Sequence, residues 1–402
     1  MNGSIRSAYA CDVNALAAVK SCAAQIDMAA PDLLVAFVGG KHIPAAALAA
    51  IQSLFGDTPL AGGAAAGVIA ASGFGYTGFE IGLIAFKGAA VTPLVLTNHN
   101  LLAGETQAGH ELGARVRACT DDGAVVFLLF DSVASSPPLR MHPASQIVEG
   151  FNAGLNGRTL HLVGGGLLVD INLSDAWIFA AGEVRKHAVT ALVFPAGLRA
   201  DTVIFHGCRP VSSFLDITRI EGAEVLELNN EPALTVVERM LGLELGTTSG
   251  QQLSLVATLG QKQGNPFAPY NENNYVNRLI LQADPLRGSL TLFEPDFAVG
   301  DRVQIMSRDN TLMLESVERG VSDLVRRIEG ADCLLGLYVD CAGRASVMTG
   351  AETEEADLLC RNFKPSFPFM GFYSGVEIAP FGGHYSRPLD WTGVLTVLHS
   401  HT

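Results

Sequence analysis

The chain has 402 residues, of which 49% are hydrophobic and only 16% charged, so it can bury a large core and is not disordered. Its 40 acids face 26 bases, giving a formal net charge of -14 and a pI near 5.1, with no long basic run. That balance argues against a nucleic-acid binder and disfavours an anionic membrane surface. At roughly 150 residues per domain the length suggests two or three units. The 43 glycines promise tight turns and close backbone packing.

Near the start, "SAYACDVNALAAVKSCAAQ" (7–25) has the spacing of an amphipathic helix, and Asp12 and Lys20 interrupt it too early for a signal peptide. We assign residues 1–30 to an N-terminal helix. A run of about 18 apolar residues without charge, the mark of a membrane-spanning helix, is absent. The reading is a soluble cytoplasmic protein. Seven cysteines (Cys11, Cys22, Cys119, Cys208, Cys333, Cys341 and Cys360) form no C-x-x-C pair. An odd number in a long chain supports neither a disulfide framework nor a thiolate zinc site, and fits a reducing compartment.

Three regions share one plan of apolar strand, helix, glycine-rich turn and strand. The first has "DLLVAFVGG" (32–40), "PAAALAAIQSLFG" (44–56), "PLAGGAAAGVIA" (59–70) as the turn, and "FEIGLIAF" (79–86). The second has "AVVFLLFDS" (124–132), "PASQIVEGFNAGL" (143–155) and "LHLVGGGLLVD" (160–170), then "DAWIFAAGEV" and "HAVTALVF" as paired strands with Gly182 near their turn. The third has "CLLGLYVDCAGR" (333–344), "AETEEADLLCRNF" (351–363), "FPFMGFYSGVEIA" (367–379) and "TGVLTVL" (392–398). Apolar runs of this length before helices are typical of strands covered on both faces. Any α/β chain shows such units, so the pattern alone leaves duplication open. "GGAAAG" lacks both the G-x-G-x-x-G spacing and a closing Lys-Ser/Thr, and is not a phosphate loop.

Between the second and third regions the character changes, near 210–222. Residues 221–242 read as strand, turn and helix, with Asn229, Asn230 and Glu231 as turn and cap and Pro232 at the first helical position. Residues 273–309 alternate apolar and polar, with turns at Asp284-Pro285, Gly288 and Gly300, as in an antiparallel meander.

The stretches "VLELNNEPAL" (225–234), "YVNRLI" (275–280), "GSLTLFEPDFAVGDRVQIMSRD" (288–309), "YVDCAGR" (338–344) and "GFYSGVEIAPFG" (371–382) resemble, in wording, order and spacing, the C-terminal domain of the FIST family of bacterial sensory modules. "LLVAFVG" (33–39) and "PLAGGAAAGVI" (59–69) resemble its N-terminal domain. The resemblance implies an α/β (mixed α+β) fold in two domains, 31–215 and 216–402. It implies mixed sheets flanked by helices, and an antiparallel meander in the C-terminal domain. It implies a small ligand such as an amino acid and signal transfer to a separate partner protein, with a homodimer left open. Some stand-alone members are haem-binding nitric oxide sensors that report to a histidine kinase or a cyclic-di-GMP enzyme, so haem is the cofactor that branch implies. One departure stands out: where the family has an "HNQT"-like stretch, this chain has "HYSRPLDWTGVLTVL" (384–398).

The candidate ligand-binding residues are Asp340, Cys341, Arg344, Phe372, Tyr373, Glu377, Tyr385, Arg387 and Trp391. His384, between a glycine pair and Tyr385, is the candidate haem-iron ligand, with Phe372, Phe381 and Trp391 as walls; the alternative is a surface turn histidine. His99, His142, His161 and His206 are further candidates, and without C-x-x-C-H a covalent c-type haem is excluded. Arg344 suits a bidentate clamp on a carboxylate or an internal pair with Asp340, Glu377 or Asp390, whereas Arg278 is read as structural. Cys341 is a nucleophile only with a nearby base or cation, such as Arg344 or His384; otherwise it is a packing residue. Glu377 is structural if paired with Arg344, and functional if left unpaired with a raised pKa. Three functions follow in order: a sensory ligand-binding module, a haem-based nitric oxide sensor, and an enzyme built on Cys341. The acidic surface favours a partner with a basic face.

Overall fold

The computed structural model describes residues 3–244, 246, 249–382 and 385–400. Three stretches of chain follow one order of elements. The first comprises β1 (Ser4–Cys11), α1 (Ala15–Ile26), β2 (Leu33–Gly39), α2 (Pro44–Phe55), β3 (Leu60–Ala65), the hairpin β4 (Val68–Ala70) and β5 (Gly73–Gly75), and β6 (Glu80–Lys87). The second comprises β7 (Leu94–Asn98), α3 (Glu105–Ala118), β8 (Val125–Asp131), a small ribbon of β9 (Val133–Ser135) and β10 (Arg140–Met141), and α4 (Ala144–Leu155). It continues through β11 (His161–Leu167), the hairpin β12 (Ile178–Ala180) and β13 (Glu183–Arg185), and β14 (Val189–Val193).

The third stretch opens with β15 (Leu198–Phe205) and is then interrupted by an inserted segment. This holds β16 (Arg209–Pro210), β17 (Leu215–Glu221), β18 (Glu224–Leu228), β19 (Glu231–Pro232), α5 (Ala233–Leu241), α6 (Gly250–Val256), β20 (Ala257–Lys262), β21 (Tyr275–Asp284), β22 (Ser289–Leu292) and β23 (Arg302–Ser307). The plan then resumes with α7 (Asn310–Arg327), β24 (Asp332–Cys341), the short α8 (Ser346–Thr349), α9 (Glu355–Phe363) and β25 (Phe369–Ser374). The hairpin β26 (Glu377–Phe381) and β27 (Tyr385–Leu389) and the final β28 (Gly393–Ser400) complete it.

Each stretch builds the core of one six-stranded mixed sheet around a parallel pair: β2 with β3, β8 with β11, and β24 with β25. Antiparallel strands flank the pair on one side, and on the other side sits a hairpin taken from a different stretch. The β4–β5 hairpin joins β25, β12–β13 joins β3, and β26–β27 joins β11. The exchange is cyclic, so no stretch completes its own sheet. The registers agree as well: Ala36 faces Gly62, Leu128 faces Gly164 and Tyr338 faces Gly371. A Cβ at Gly62 or Gly164 would overlap the carbonyl of the facing residue, and both have left-handed φ, +98° and +151°, which glycine alone adopts without strain.

The inner faces of the three sheets meet in one apolar core, where Val35, Phe37, Phe127, Leu129, Val339 and Phe372 are buried together. The outer faces are covered in turn by α1 and α2, by α3 and α4, and by α7 and α9. This explains why the central strands read as unbroken apolar runs. The insert closes into an antiparallel barrel in which β23 pairs with both β17 and β20, around its own core of Leu215, Val225, Leu259, Ile280 and Ile305. The fold is thus mixed α+β, with several helix-flanked sheets and an antiparallel barrel in the C-terminal part; the expected meander forms the barrel strands β21, β22 and β23.

Four local expectations are corrected. The N-terminal helix begins only at Ala15, where the Asn14 side chain caps it; Ser4–Cys11 is a strand, paired in full with β6. The glycine-rich segment 59–70 is not a turn but two strands, because its small residues allow close approach to neighbouring backbone. Gly182 turns the β12–β13 hairpin, whereas "HAVTALVF" pairs with β8 and β7 in another sheet. Pro232 caps α5 from outside instead of opening it.

Candidate functional site

At the C-terminal end of β24 the chain turns through Ala342–Arg344 and presents a fully buried guanidinium. Arg344 Nη2 lies 2.6 Å from Glu355 Oε2 at the first residue of α9, and its Nε lies 3.4 Å from Asp340 Oδ1. Nη1 donates to the carbonyls of His206 (3.1 Å) and Trp391 (3.2 Å). The Tyr338 hydroxyl donates to Glu355 Oε1 at 2.8 Å, and the Tyr373 hydroxyl to Glu354 Oε1 at 2.8 Å. One cation thus sits between two buried carboxyls. Burial, then the Glu355 charge, push Asp340 well above the usual carboxylate range. Neither Asp340 oxygen has a hydrogen-bond partner, whereas Glu355 Oε1 takes both the guanidinium and Tyr338; burial raises Glu355 too, with the Arg344 charge opposing it. The network ties β24, α9, residue 206 and residue 391 together; it is a sealed clamp.

A second network sits where the barrel meets the exchanged hairpin. Buried Arg278 of β21 makes a bidentate pair with Asp296 (2.6 and 2.5 Å), donates to the Pro388 carbonyl, and lies 3.6 Å from Asp390. Asp390 Oδ2 accepts from the Leu279 amide at 3.0 Å, and Arg387 reaches Asp296 at 3.1 Å. Glu294, on the same barrel loop, accepts from the Ala144 and Ser145 amides (3.0 and 2.8 Å) at the start of α4.

Between these anchors opens a groove of about 760 Å³, within the range of small-molecule sites. Gln146, Glu149 and Asn152 line it from α4, Asp296 from the barrel, and Tyr385 and Arg387 from β27. Its wall is therefore assembled from the second stretch, the insert and the end of the third. The lining offers amide donors and acceptors, a phenol, and both signs of charge, which suits a small polar ligand.

The structure separates the residues expected to form one site. Tyr385 and Arg387 line the groove. Asp340, Cys341, Arg344, Tyr373 and Glu377 are buried around the clamp. Glu377 is not paired with Arg344; it accepts from Ser374 Oγ (2.6 Å) and the Thr392 amide (3.2 Å), and burial raises its pKa strongly. Phe372 lies on the opposite face, stacked on Phe37 with ring centroids 4.5 Å apart, inside the core of the three sheets. Trp391 packs with Cys208, Met306 and Met313 against the barrel. Arg278, read as structural, is buried and paired with Asp296. His384 lies outside the described residues. Burial, ahead of the Glu377 charge, pushes the Cys341 thiol well above its ordinary value, and His206, not close in sequence, spends its ring on the Glu272 carbonyl and the Cys208 amide. A thiolate nucleophile has no support there.

Haem fares no better on this geometry. Phe372 and Trp391, the expected walls, are packed elsewhere. His142 bridges Glu105 and His187, and His161 bonds Thr202 with its pKa lowered to about 4 by burial. The residues described do not fit the group. Among them no cluster of three or more His, Cys, Asp or Glu side chains could hold a metal ion, and no helix is long and apolar enough to cross a membrane.

The sequence reading missed Glu355, Asp296, Glu294 and Arg308. Glu355 hides in the run "ETEE", which reads as a solvated first helical turn. Asp296 and Arg308 lie inside the quoted stretch 288–309 and had no local signal of a partner or the lack of one. Arg308 follows β23, stacks its guanidinium on the Trp391 ring, and makes no ion pair among the described residues; its Nε is closed to solvent and unbonded. A desolvated cation–π contact contributes about 2 kcal/mol, less than the several kcal/mol that burying an ion costs.

The FIST N domain matches residues 32–231 and the FIST C domain residues 233–380. An uncharacterised protein of Mycobacterium tuberculosis is 25% identical over 350 residues, covering 81% of this chain and 89% of its own. Another, from Mycobacterium bovis, is 28% identical over 251 residues, 60% of this chain and 61% of its own. Among solved structures, a cyanuric acid hydrolase from A. caulinodans aligns over 100% of both chains at 9% identity, with a TM-score of 0.39, too low to carry an argument.

Proposed function

Since the chain belongs to the FIST family, whose domains are generally sensory modules of signal transduction, we propose that it binds a small polar ligand in the groove between α4, the barrel and β27. It then passes the signal to a separate protein. The observation behind this reading is that three distant parts of the chain wall the groove. A ligand that touches all three stabilises one arrangement of barrel and sheets over others, which is what a sensor requires. Arg387 and Asp296 supply a charge pair that a zwitterionic ligand such as an amino acid would bridge. The partner would be cytoplasmic, such as a histidine kinase or a cyclic-di-GMP enzyme, docking a basic face on this acidic chain. The role is binding and not catalysis, in keeping with a Cys341 thiol that burial keeps protonated. A thermal-shift screen of amino acids and other small metabolites tests it, with Asn152→Phe to fill the groove. The expected result is a hit that raises Tm in the parent and not in the variant; hits that persist unchanged in Asn152→Phe would move the site elsewhere.

A further inference from the structure

On the far side of Pro388–Thr392 from the groove lies a seam between the barrel and the third sheet. The β21–β20–β23 ribbon turns Leu259, Ile280 and Ile305 into the barrel core. Its opposite face carries Asn277, Met306 and the following Arg308 toward Cys208, Met313 and Trp391. Three side chains there have unbonded polar atoms: Asn277, Arg308 and Thr258, whose Oγ1 lies on the face of Met306, its partner in the ladder. Asn277 is 1% exposed with both amide atoms unbonded, and its Oδ1 sits on the side of Gly260 occupied by the Met306 thioether. Arg308 is half-buried, so it is reachable from solvent, yet its Nε is sealed and unbonded.

Nothing described around Arg308 neutralises it. The titratable groups whose charges act on it are Cys208, Cys341 and Arg344. Burial pushes the Cys208 thiol to about 11 and that of Cys341 well above its ordinary value, so both are neutral at pH 7. Arg344 is a cation already committed to Glu355 and Asp340. Burial lowers Arg308 to about 9, which still leaves it charged at neutral pH. A half-buried guanidinium stacked on an aromatic plate, with its Nε unbonded and no carboxylate paired to it among the described residues, lacks one negative charge.

We infer that this seam binds a small monocarboxylate, clamped by the Arg308 fork against Trp391. A single cation in apolar surroundings balances one negative charge; a phosphate dianion would leave a second one buried. The site is separate from the groove and its test does not depend on that reading.

The chain has two tryptophans, Trp177 and Trp391, so Trp177→Phe leaves Trp391 as the sole indole reporter. In that background, acetate, propionate and benzoate are titrated against their amides and against inorganic phosphate, with fluorescence as readout. The expected result is a saturable change with at least one carboxylate and none with its amide. Affinity falls about tenfold or more in Arg308→Gln, the scale of a lost charged hydrogen bond, and is partly kept in Arg308→Lys. In the absence of carboxylate, Arg308→Met should melt higher than the parent, because it removes an unpaired charge; a structural arginine would melt lower. Asn152→Phe should leave the response unchanged. An equal response to amide and carboxylate, a response to phosphate alone, no response to any probe, full binding by Arg308→Gln, or loss of binding in Asn152→Phe would each overturn the proposal.

Discussion

The Arg344 guanidinium meets the Glu355 carboxylate at 2.6 Å with neither side chain exposed to solvent. The pair joins the end of β24 to the first turn of α9, and Arg344 also holds the backbone at His206 and Trp391. Arg344→Met therefore leaves a buried carboxylate uncompensated and removes the guanidinium donor from two backbone carbonyls. The expected loss is about 3–5 kcal/mol in urea unfolding; a loss below about 1 kcal/mol, the worth of an exposed pair, would show that the clamp is not sealed.

Much of the fold was legible because it rests on local patterns. The runs 33–39, 125–130 and 333–339 are apolar throughout since helices cover one face and the other two sheets cover the opposite one. Their common plan left duplication open, and the registers of Gly62, Gly164 and Gly371 now match across the three stretches. What stayed hidden is non-local. No residue in "SGVEIAPFG" tells that its strand completes the second sheet, and Ser4–Cys11 is a strand because β6 pairs with it, not by its own composition. The site suffered more: alternate residues of a strand face opposite ways, so neighbours Phe372 and Tyr373 ended in different cores. Arg344 was given Asp340 as one candidate partner, and that contact exists, but Glu355 carried no signal of burial.

Phe372 belongs to the core of the three sheets through its stack on Phe37. Phe372→Ala should cost about 3–5 kcal/mol through the cavity it opens, while a ligand found in the groove keeps its affinity. Weakened ligand binding with unchanged stability would return Phe372 to a binding role.

Glu294 gives a pH dependence of stated sign. Burial, then the Asp390 charge, raise its pKa from an ordinary 4.5 to about 7. The folded state holds this proton more tightly than the unfolded one, so the contribution to stability is present below 4.5 and is lost as pH rises toward 7. Glu294→Gln, which keeps an acceptor for the α4 amides, removes the titration. Stability of the parent minus that of the variant should fall across this window and then level off; a flat or rising difference would refute the assignment.

Cysteine reactivity should follow burial. Cys11 and Cys119 are exposed, whereas Cys341 is buried with its pKa raised. Iodoacetamide at mildly alkaline pH, read by peptide mass spectrometry, should label the first two in the native protein and Cys341 only after unfolding. Early labelling of Cys341 would reopen a role for it as a nucleophile.

The central claim is that one ligand in the groove couples three parts of the chain. Hydrogen exchange measured with and without the strongest hit of the metabolite screen tests it most directly. The account predicts slowed exchange together in α4, in the loop around Asp296 and in β27. Protection confined to one of the three, or located away from all of them, would contradict it.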